Sequence, residues 1–190
     1  PGMARADLDF ALEALPQAPA YAGLAETALD TLSDLAAAHR DPEIRIAALQ
    51  GRLPWAETDD HRVALSDALV DAYAEAGRTD EALQAALQAE ALRPSVERSD
   101  RVAQWSQRLD RLPEAQAAYE RAGRTAEQVS DRKKALARFG KAADLAALLH
   151  DADSAARLDA EVIRLAGPGA LPKGWLGTAL DRELTRAKDS

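Results

Sequence analysis

The sequence predicts an all-α protein in which short helices pair as antiparallel hairpins. Alanine and leucine supply 45 and 26 of its 190 residues, and both residue types favour helices. Valine and isoleucine together number nine and aromatic residues eight, too few for the strands of a β-sandwich or barrel. Apolar residues recur every three to four positions between breaks, which is the helical period.

Proline, glycine and capping residues divide this pattern into ten predicted helices. Asp41 and Pro42 form a cap followed by proline at the first helical position, a typical helix start. Gly77 predicts a helix end and Pro94 a stop. The predicted ranges are about 4–15, 20–39, 42–53, 61–76 (capped by an Asp of the preceding loop), 80–92, 98–109, 113–122, 126–149 with a possible bend at Gly140, 153–166 and 175–188.

The breaks are short, and none has the composition of a flexible linker between domains. The sequence therefore predicts a single domain over 3–190. Its last helix, 175–188, carries an apolar stripe of Leu176, Leu180 and Leu184. Because the end of a row of hairpins exposes a core face, this helix is predicted to cap the row.

One segment carries a repeat motif. It runs from Leu69 to Pro94, and its spaced residues are Leu69, Tyr73, Gly77, Ala82, Ala86, Ala89 and Pro94. Small residues at the three alanine positions allow two helices to approach closely, and a glycine permits the tight reversal between them. This segment resembles a tetratricopeptide repeat (TPR), although Ser66, Val70 and Ala86 depart from the usual pattern of that family.

Weaker copies of the motif flank this repeat, which spans 63–96. Ala115, Tyr119 and Ala122 follow its three alanines by 33 residues, and Leu35 and His39 precede Leu69 and Tyr73 by 34. Degenerate repeats are thus predicted over about 29–62 and 97–128. The TPR resemblance implies an α-solenoid, a superhelix of stacked hairpins whose inner face is lined by the first helix of each hairpin.

Composition narrows the classes of function. The chain has no cysteine, so disulfides and thiolate metal sites are excluded, as fits a reducing compartment. Charged residues interrupt every apolar stretch well before the roughly 18 residues that a membrane span needs. We therefore expect a cytoplasmic protein with no membrane span.

Charge is unevenly distributed along the chain. Residues 1–92 contain six Arg and no Lys against 17 acidic residues, whereas 93–141 contain 12 basic residues against seven acidic ones. A nucleic-acid-binding domain usually has a high pI, but this chain has a pI of about 5.0 and its acids interleave with the arginines. The pattern argues against nucleic acid, and it allows self-association through the acidic and basic stretches.

Motifs of catalysis and of metal binding are absent. His39-Arg40-Asp41 imitates a kinase catalytic loop, but Ile46 occupies the place of the required Asn. Asp59-Asp60-His61 could ligate a metal, yet acids at a helix start are ordinarily caps favoured by the helix dipole. We therefore predict a protein that is not an enzyme and has no cofactor or metal.

The TPR resemblance implies a partner-binding face on the first helix of each hairpin. Asp67, Asp71 and Glu75, four residues apart, form one acidic stripe on a helix. The predicted partner-binding residues are Asp30, Asp34, Asp67, Asp71, Glu75, Arg101, Gln104 and Arg108. The acidic members favour a basic peptide or helix as the partner, and the chain lacks the Lys/Asn clamp with which some TPR proteins bind C-terminal carboxylates.

These observations predict a protein–protein interaction scaffold or adaptor that binds a partner peptide or helix in a concave groove. One alternative is a regulatory or sensor domain of a larger signalling or transcription protein. A second, less favoured alternative is nucleic-acid binding. The identity of the partner does not follow from the sequence.

Overall fold

The computed structural model describes residues 22–38 and 40–167, and these residues form eight α-helices joined by short turns. The helices are α1 (Ala22–Ala38), α2 (Pro42–Arg52), α3 (Asp59–Glu75), α4 (Thr79–Leu92), α5 (Val96–Arg108), α6 (Leu112–Gln128), α7 (Arg132–Leu148) and α8 (Ala152–Ala166). A 3₁₀ turn, Leu53–Trp55, follows α2. The predicted all-α class of helical hairpins is confirmed, and the chain divides into two compact units at Arg93 and Pro94.

In the first unit, each helix packs mainly against its neighbours in the chain, in the order α1, α2, α3, α4. The hairpin of α3 and α4 contains the strongest repeat motif. Ala82, Ala86 and Ala89 are buried in it, as the motif predicts. Gly77 has a φ of 72° in the turn, a conformation that glycine adopts without steric penalty.

The second unit continues the same construction with α5 to α8, each packed on the next. Parallel helices two apart are also joined by side chains. Lys134 of α7 contacts Glu97 of α5 at 2.9 Å, and Arg157 of α8 contacts Glu120 of α6 at 2.7 Å. Hairpins therefore stack within this unit, as a helical-repeat fold requires.

The buried face of the second unit repeats every 20 residues, once per helix. Three positions recur in all four helices, and every residue at them is buried. They are Ser99/Tyr119/Phe139/Asp159, Val102/Ala122/Ala142/Val162 and Ser106/Ala126/Ala146/Ala166. This period was not predicted from the sequence, because the residue types at the three positions vary and because it differs from the TPR spacing of about 34 residues.

The turns between these helices follow the same period. Asp110, Ser130 and His150 each have a left-handed backbone, with φ of 56°, 60° and 57°. The side chains of Asp131 and Asp151 then cap α7 and α8 by accepting hydrogen bonds of 3.0 Å from the backbone amides of Lys134 and Ser154. A left-handed residue followed by a cap reverses the chain in three residues, which sets the helices antiparallel.

Two predicted helix boundaries were wrong. The predicted helix 126–149 is in fact the end of α6 and the whole of α7, separated by the turn at Ser130, and Gly140 lies buried inside α7 without breaking it. Helix α3 begins at Asp59, with Thr58 as its cap in place of an Asp. The predicted helices 4–15 and 175–188, the latter the predicted cap of the row, lie outside the described residues.

The hairpin of α3 and α4 offers a test of packing. Ala89 has none of its surface exposed, whereas Ala91 on the same helix is exposed. We expect Ala89→Leu to lower the free energy of unfolding by about 1–3 kcal/mol through overpacking. Ala91→Leu should change it by less than about 0.5 kcal/mol. Urea denaturation of both variants measures the difference, and equal tolerance would show that α4 packs through another face.

Candidate protein-interaction surface

Helix α3 presents the central part of the predicted acidic face. Asp71 and Glu75 are exposed and Asp67 is half-buried. Their four-residue spacing places them on one side of the helix, while Leu65, Leu69 and Tyr73 of the same helix are buried. Asp67 and Asp71 also have interaction partners within the chain. We call Asp67, Asp71 and Glu75 the α3 acidic stripe.

Two acids of the predicted surface are neutralised by arginines of α2. Arg52 reaches Asp30 of α1 at 2.5 Å, and only 15% of its side chain is exposed. Arg45 donates from Nη1 to both carboxylate oxygens of Glu75 at 3.2 Å. The helix between α1 and α3 therefore supplies cations to both of its neighbours, and the surface is less negative than its carboxylates alone suggest.

A pocket of about 480 Å³ opens beside Glu75. Arg40, Pro42, Arg45 and Glu75 line it, so it lies between the turn that joins α1 to α2 and the end of α3. Arg40 is exposed and has a left-handed backbone with φ 54°. Its described lining thus combines two guanidinium groups with one carboxylate at the end of the α3 acidic stripe.

The remaining predicted residues lie in the two units as follows. Asp34 is exposed on α1. In the second unit, Gln104 and Arg108 are exposed on α5, and Arg101 is half-buried. The guanidinium of Arg108 lies 4.2 Å from the centre of the Trp105 ring, a cation–π contact. The role of these residues in binding stays a prediction.

Many cations of the basic stretch are engaged within the second unit. Arg138 donates from Nε to the two carboxylate oxygens of Asp100 at 2.6 and 2.9 Å. The Lys141 amine lies 4.9 Å from the centre of the Tyr119 ring, and a guanidinium nitrogen of Arg132 donates to the carbonyl of Ala166 at the end of α8. These contacts give Arg132, Arg138 and Lys141 a structural role within the unit.

Ion pairs lower the pKa of two carboxyl groups in this unit. The hydrogen bond from Lys134 lowers the pKa of Glu97, and that from Arg157 lowers the pKa of Glu120. Glu120 is the more enclosed group, with 14% of its side chain exposed and a second contact from Arg124 at 2.5 Å. A carboxyl whose pKa is lower in the folded than in the unfolded state stabilises the fold when ionised.

This linkage predicts a loss of stability in acid. The contribution of Glu120 is complete above its ordinary pKa of 4.5 and is lost as pH falls through its lower folded pKa. We expect Glu120→Gln to lower the free energy of unfolding at pH 7, and this loss should shrink as the pH falls below 4.5 and through the lower folded pKa. Glu114→Gln on the same helix serves as the control in urea titrations, and a pH-independent effect of Glu120→Gln would contradict the linkage.

The described residues show no cluster of three His, Asp or Glu side chains that could hold a metal ion. The acids of the Asp59-Asp60-His61 segment contact arginines instead, since Asp59 pairs with Arg62 at 3.0 Å and Asp60 with Arg93. None of the described helices is long and apolar enough to cross a membrane.

The arginines that form ion pairs with the acidic surface were not predicted from the sequence. Arg45 and Arg52 belong to α2, 30 and 22 residues along the chain from the acids that they bind. The available signal was their spacing of seven residues on one helix, which places two cations on one face two turns apart. The pocket with Arg40 was also missed, because it forms where a turn meets a helix that is distant in sequence.

The fold and surface define a helical-repeat protein built of stacked hairpins. No protein-family model matches the chain, and no curated protein matches it. Among solved structures it is similar to BtubC (BKLC) from P. vanneervenii, with 15% identity, a TM-score of 0.51, and coverage of 99% of this chain and 82% of that one. It is also similar to MamA, with 17% identity, a TM-score of 0.46, and coverage of 87% and 96%. The likeness to BtubC supports the fold alone.

Proposed function

We propose that the protein is a non-enzymatic interaction module that binds a basic segment of a partner protein on the α3 acidic stripe. The observation that carries the proposal is the exposure of acidic side chains along one face of α3, next to the buried face that builds the hairpins. Like charges four residues apart cost a helix about 0.2–0.5 kcal/mol per pair. A basic partner relieves that repulsion, and complementary charge accelerates its association.

The arginines of α2 determine at which acids a partner cation must compete with an intramolecular ion pair. Asp30 and Glu75 already have cationic partners in the chain, so binding to them requires competition with Arg52 and Arg45. Asp67 and Asp71 also have interaction partners within the chain, so a partner cation competes with intramolecular contacts at these acids as well, and Asp34 is exposed on α1. Because the surface is exposed to solvent, binding should weaken steeply as salt rises.

The test replaces the charge of the stripe while keeping its shape. We expect Asp67→Asn/Asp71→Asn to leave folding intact and to reduce the association rate of a captured partner by about tenfold at low salt. The difference from the unmodified protein should shrink at high salt. Affinity capture identifies the partner, and surface plasmon resonance with the purified partner measures the rates.

The matched control removes two exposed acids from segments outside the helices. Glu57→Gln/Asp110→Asn changes the net charge by the same amount, and asparagine tolerates the left-handed backbone at position 110. We expect this control to bind its partner nearly as well as the unmodified protein. Equal losses in both double variants would show that net charge, and not the α3 acidic stripe, governs binding.

A further inference from the structure

We propose that the pocket lined by Arg40, Pro42, Arg45 and Glu75 binds a carboxylate side chain of the partner segment. This inference rests on the proposed function, because it concerns the same partner at the end of the α3 acidic stripe. The α3 acidic stripe calls for basic residues in the partner segment, and the pocket calls for one acidic residue in the same segment.

The charges around the pocket favour an anion. Among the described residues that line it are two guanidinium groups and one carboxylate, so these residues together carry a net positive charge. Glu75 receives its hydrogen bonds from Nη1 of Arg45, although a guanidinium offers five N–H donors in a fixed fork. Arginine forks match the two oxygens of a carboxylate, and the volume of about 480 Å³ is ample for such a side chain.

The position of the pocket fixes the spacing of charges in the partner. Each four-residue step along α3 covers about 6 Å, and two residues of an extended peptide cover about 6.6 Å. Every second residue of an extended segment can therefore lie opposite one acid of the α3 acidic stripe. Lysines two residues apart lie over Asp67 and Asp71, and a glutamate two residues further reaches the pocket beside Glu75.

Capped peptides test this arrangement on the full chain. The probes are Lys-Ala-Lys-Ala-Glu, the same peptide with Gln in place of Glu, and both sequences in reverse order, since the segment could run either way along α3. All are acetylated and amidated, so that side chains alone supply the carboxylate. In one of the two orders, the Glu peptide should bind about three- to tenfold more tightly than the Gln peptide, as measured by NMR titration of the isotope-labelled protein.

Three protein variants separate the contribution of the pocket from that of the stripe. Arg40→Gln should abolish the preference for Glu over Gln, whereas Arg62→Gln, which removes an exposed arginine near the start of α3, should retain it. Asp71→Asn should weaken both peptides and leave their ratio unchanged.

The outcomes separate the two proposals. Equal binding of Glu and Gln peptides in both orders, or a preference that survives Arg40→Gln, overturns the carboxylate pocket while leaving basic binding on the stripe intact. Failure of every peptide to bind overturns the stripe as the binding surface, and the pocket proposal with it. A preference lost in Arg40→Gln and kept in Arg62→Gln supports the pocket.

Discussion

Phe139→Ala is expected to lower the free energy of unfolding of the second unit by about 3–5 kcal/mol. Phe139 is 2% exposed and occupies the first of the three positions of the 20-residue pattern on α7. Its ring lies against Gly123 of α6, where an added Cβ would come within 3.0 Å of ring carbon Cδ1. Removal of the ring therefore leaves a cavity between α6 and α7.

The same contact predicts that the effect of Gly123→Ala on stability has opposite signs with and without the Phe139 ring. Alanine is favoured over glycine inside a helix by about 1 kcal/mol, but at position 123 the added methyl group meets the buried ring. We expect Gly123→Ala to destabilise the unmodified protein and to stabilise Phe139→Ala. Urea denaturation of the four proteins, with hydrogen exchange in α6 and α7, gives this double-mutant cycle. Stabilisation by Gly123→Ala in both backgrounds would contradict the close contact.

Asp100→Ala is expected to lower the free energy of unfolding by about 2 kcal/mol. Asp100 and Arg138 are 13% and 23% exposed, and removing the carboxylate leaves a half-buried guanidinium without its main acceptor. The pair joins α5 to α7, so we expect faster hydrogen exchange in both helices.

Double-mutant and control measurements separate this interaction from the loss of one side chain. Asp100→Ala/Arg138→Met should be less destabilised than the sum of its single variants. Asp59→Ala breaks the more exposed pair with Arg62 and should cost less than about 1 kcal/mol. Additive effects at Asp100 and Arg138 would show that the pair contributes little to the stacking of α5 and α7.

Local sequence signals predicted the hairpin of α3 and α4 well. Gly77 determines a turn by its backbone freedom, and Ala82, Ala86 and Ala89 determine a helix face by their small size. Both signals act within about a dozen residues. The turn at Ser130 was missed because serine has no strong preference for a left-handed backbone, and only packing of α6 and α7 on either side requires it there.

Part of the candidate surface was also predictable, because the spacing of its acids is a signal within one helix. The spacing of Asp67, Asp71 and Glu75 places them on one face of any helix, whatever lies around it. That Arg45 binds Glu75, and that Arg40 lies at the same pocket, depends on the packing of α2 against α3. No periodicity within a single helix contains that information.

Site-specific photo-crosslinking tests the central claim, that a partner binds on the α3 acidic stripe, most directly. A benzoylphenylalanine is placed at position 64, an exposed alanine of α3 one turn before Asp67, or, as the control, at position 117, an exposed alanine of α6, and the full chain is irradiated with the captured partner. We predict a crosslink from position 64 to a lysine- or arginine-containing segment of the partner, and none from position 117. A crosslink from position 117 with none from position 64 would contradict the proposed surface.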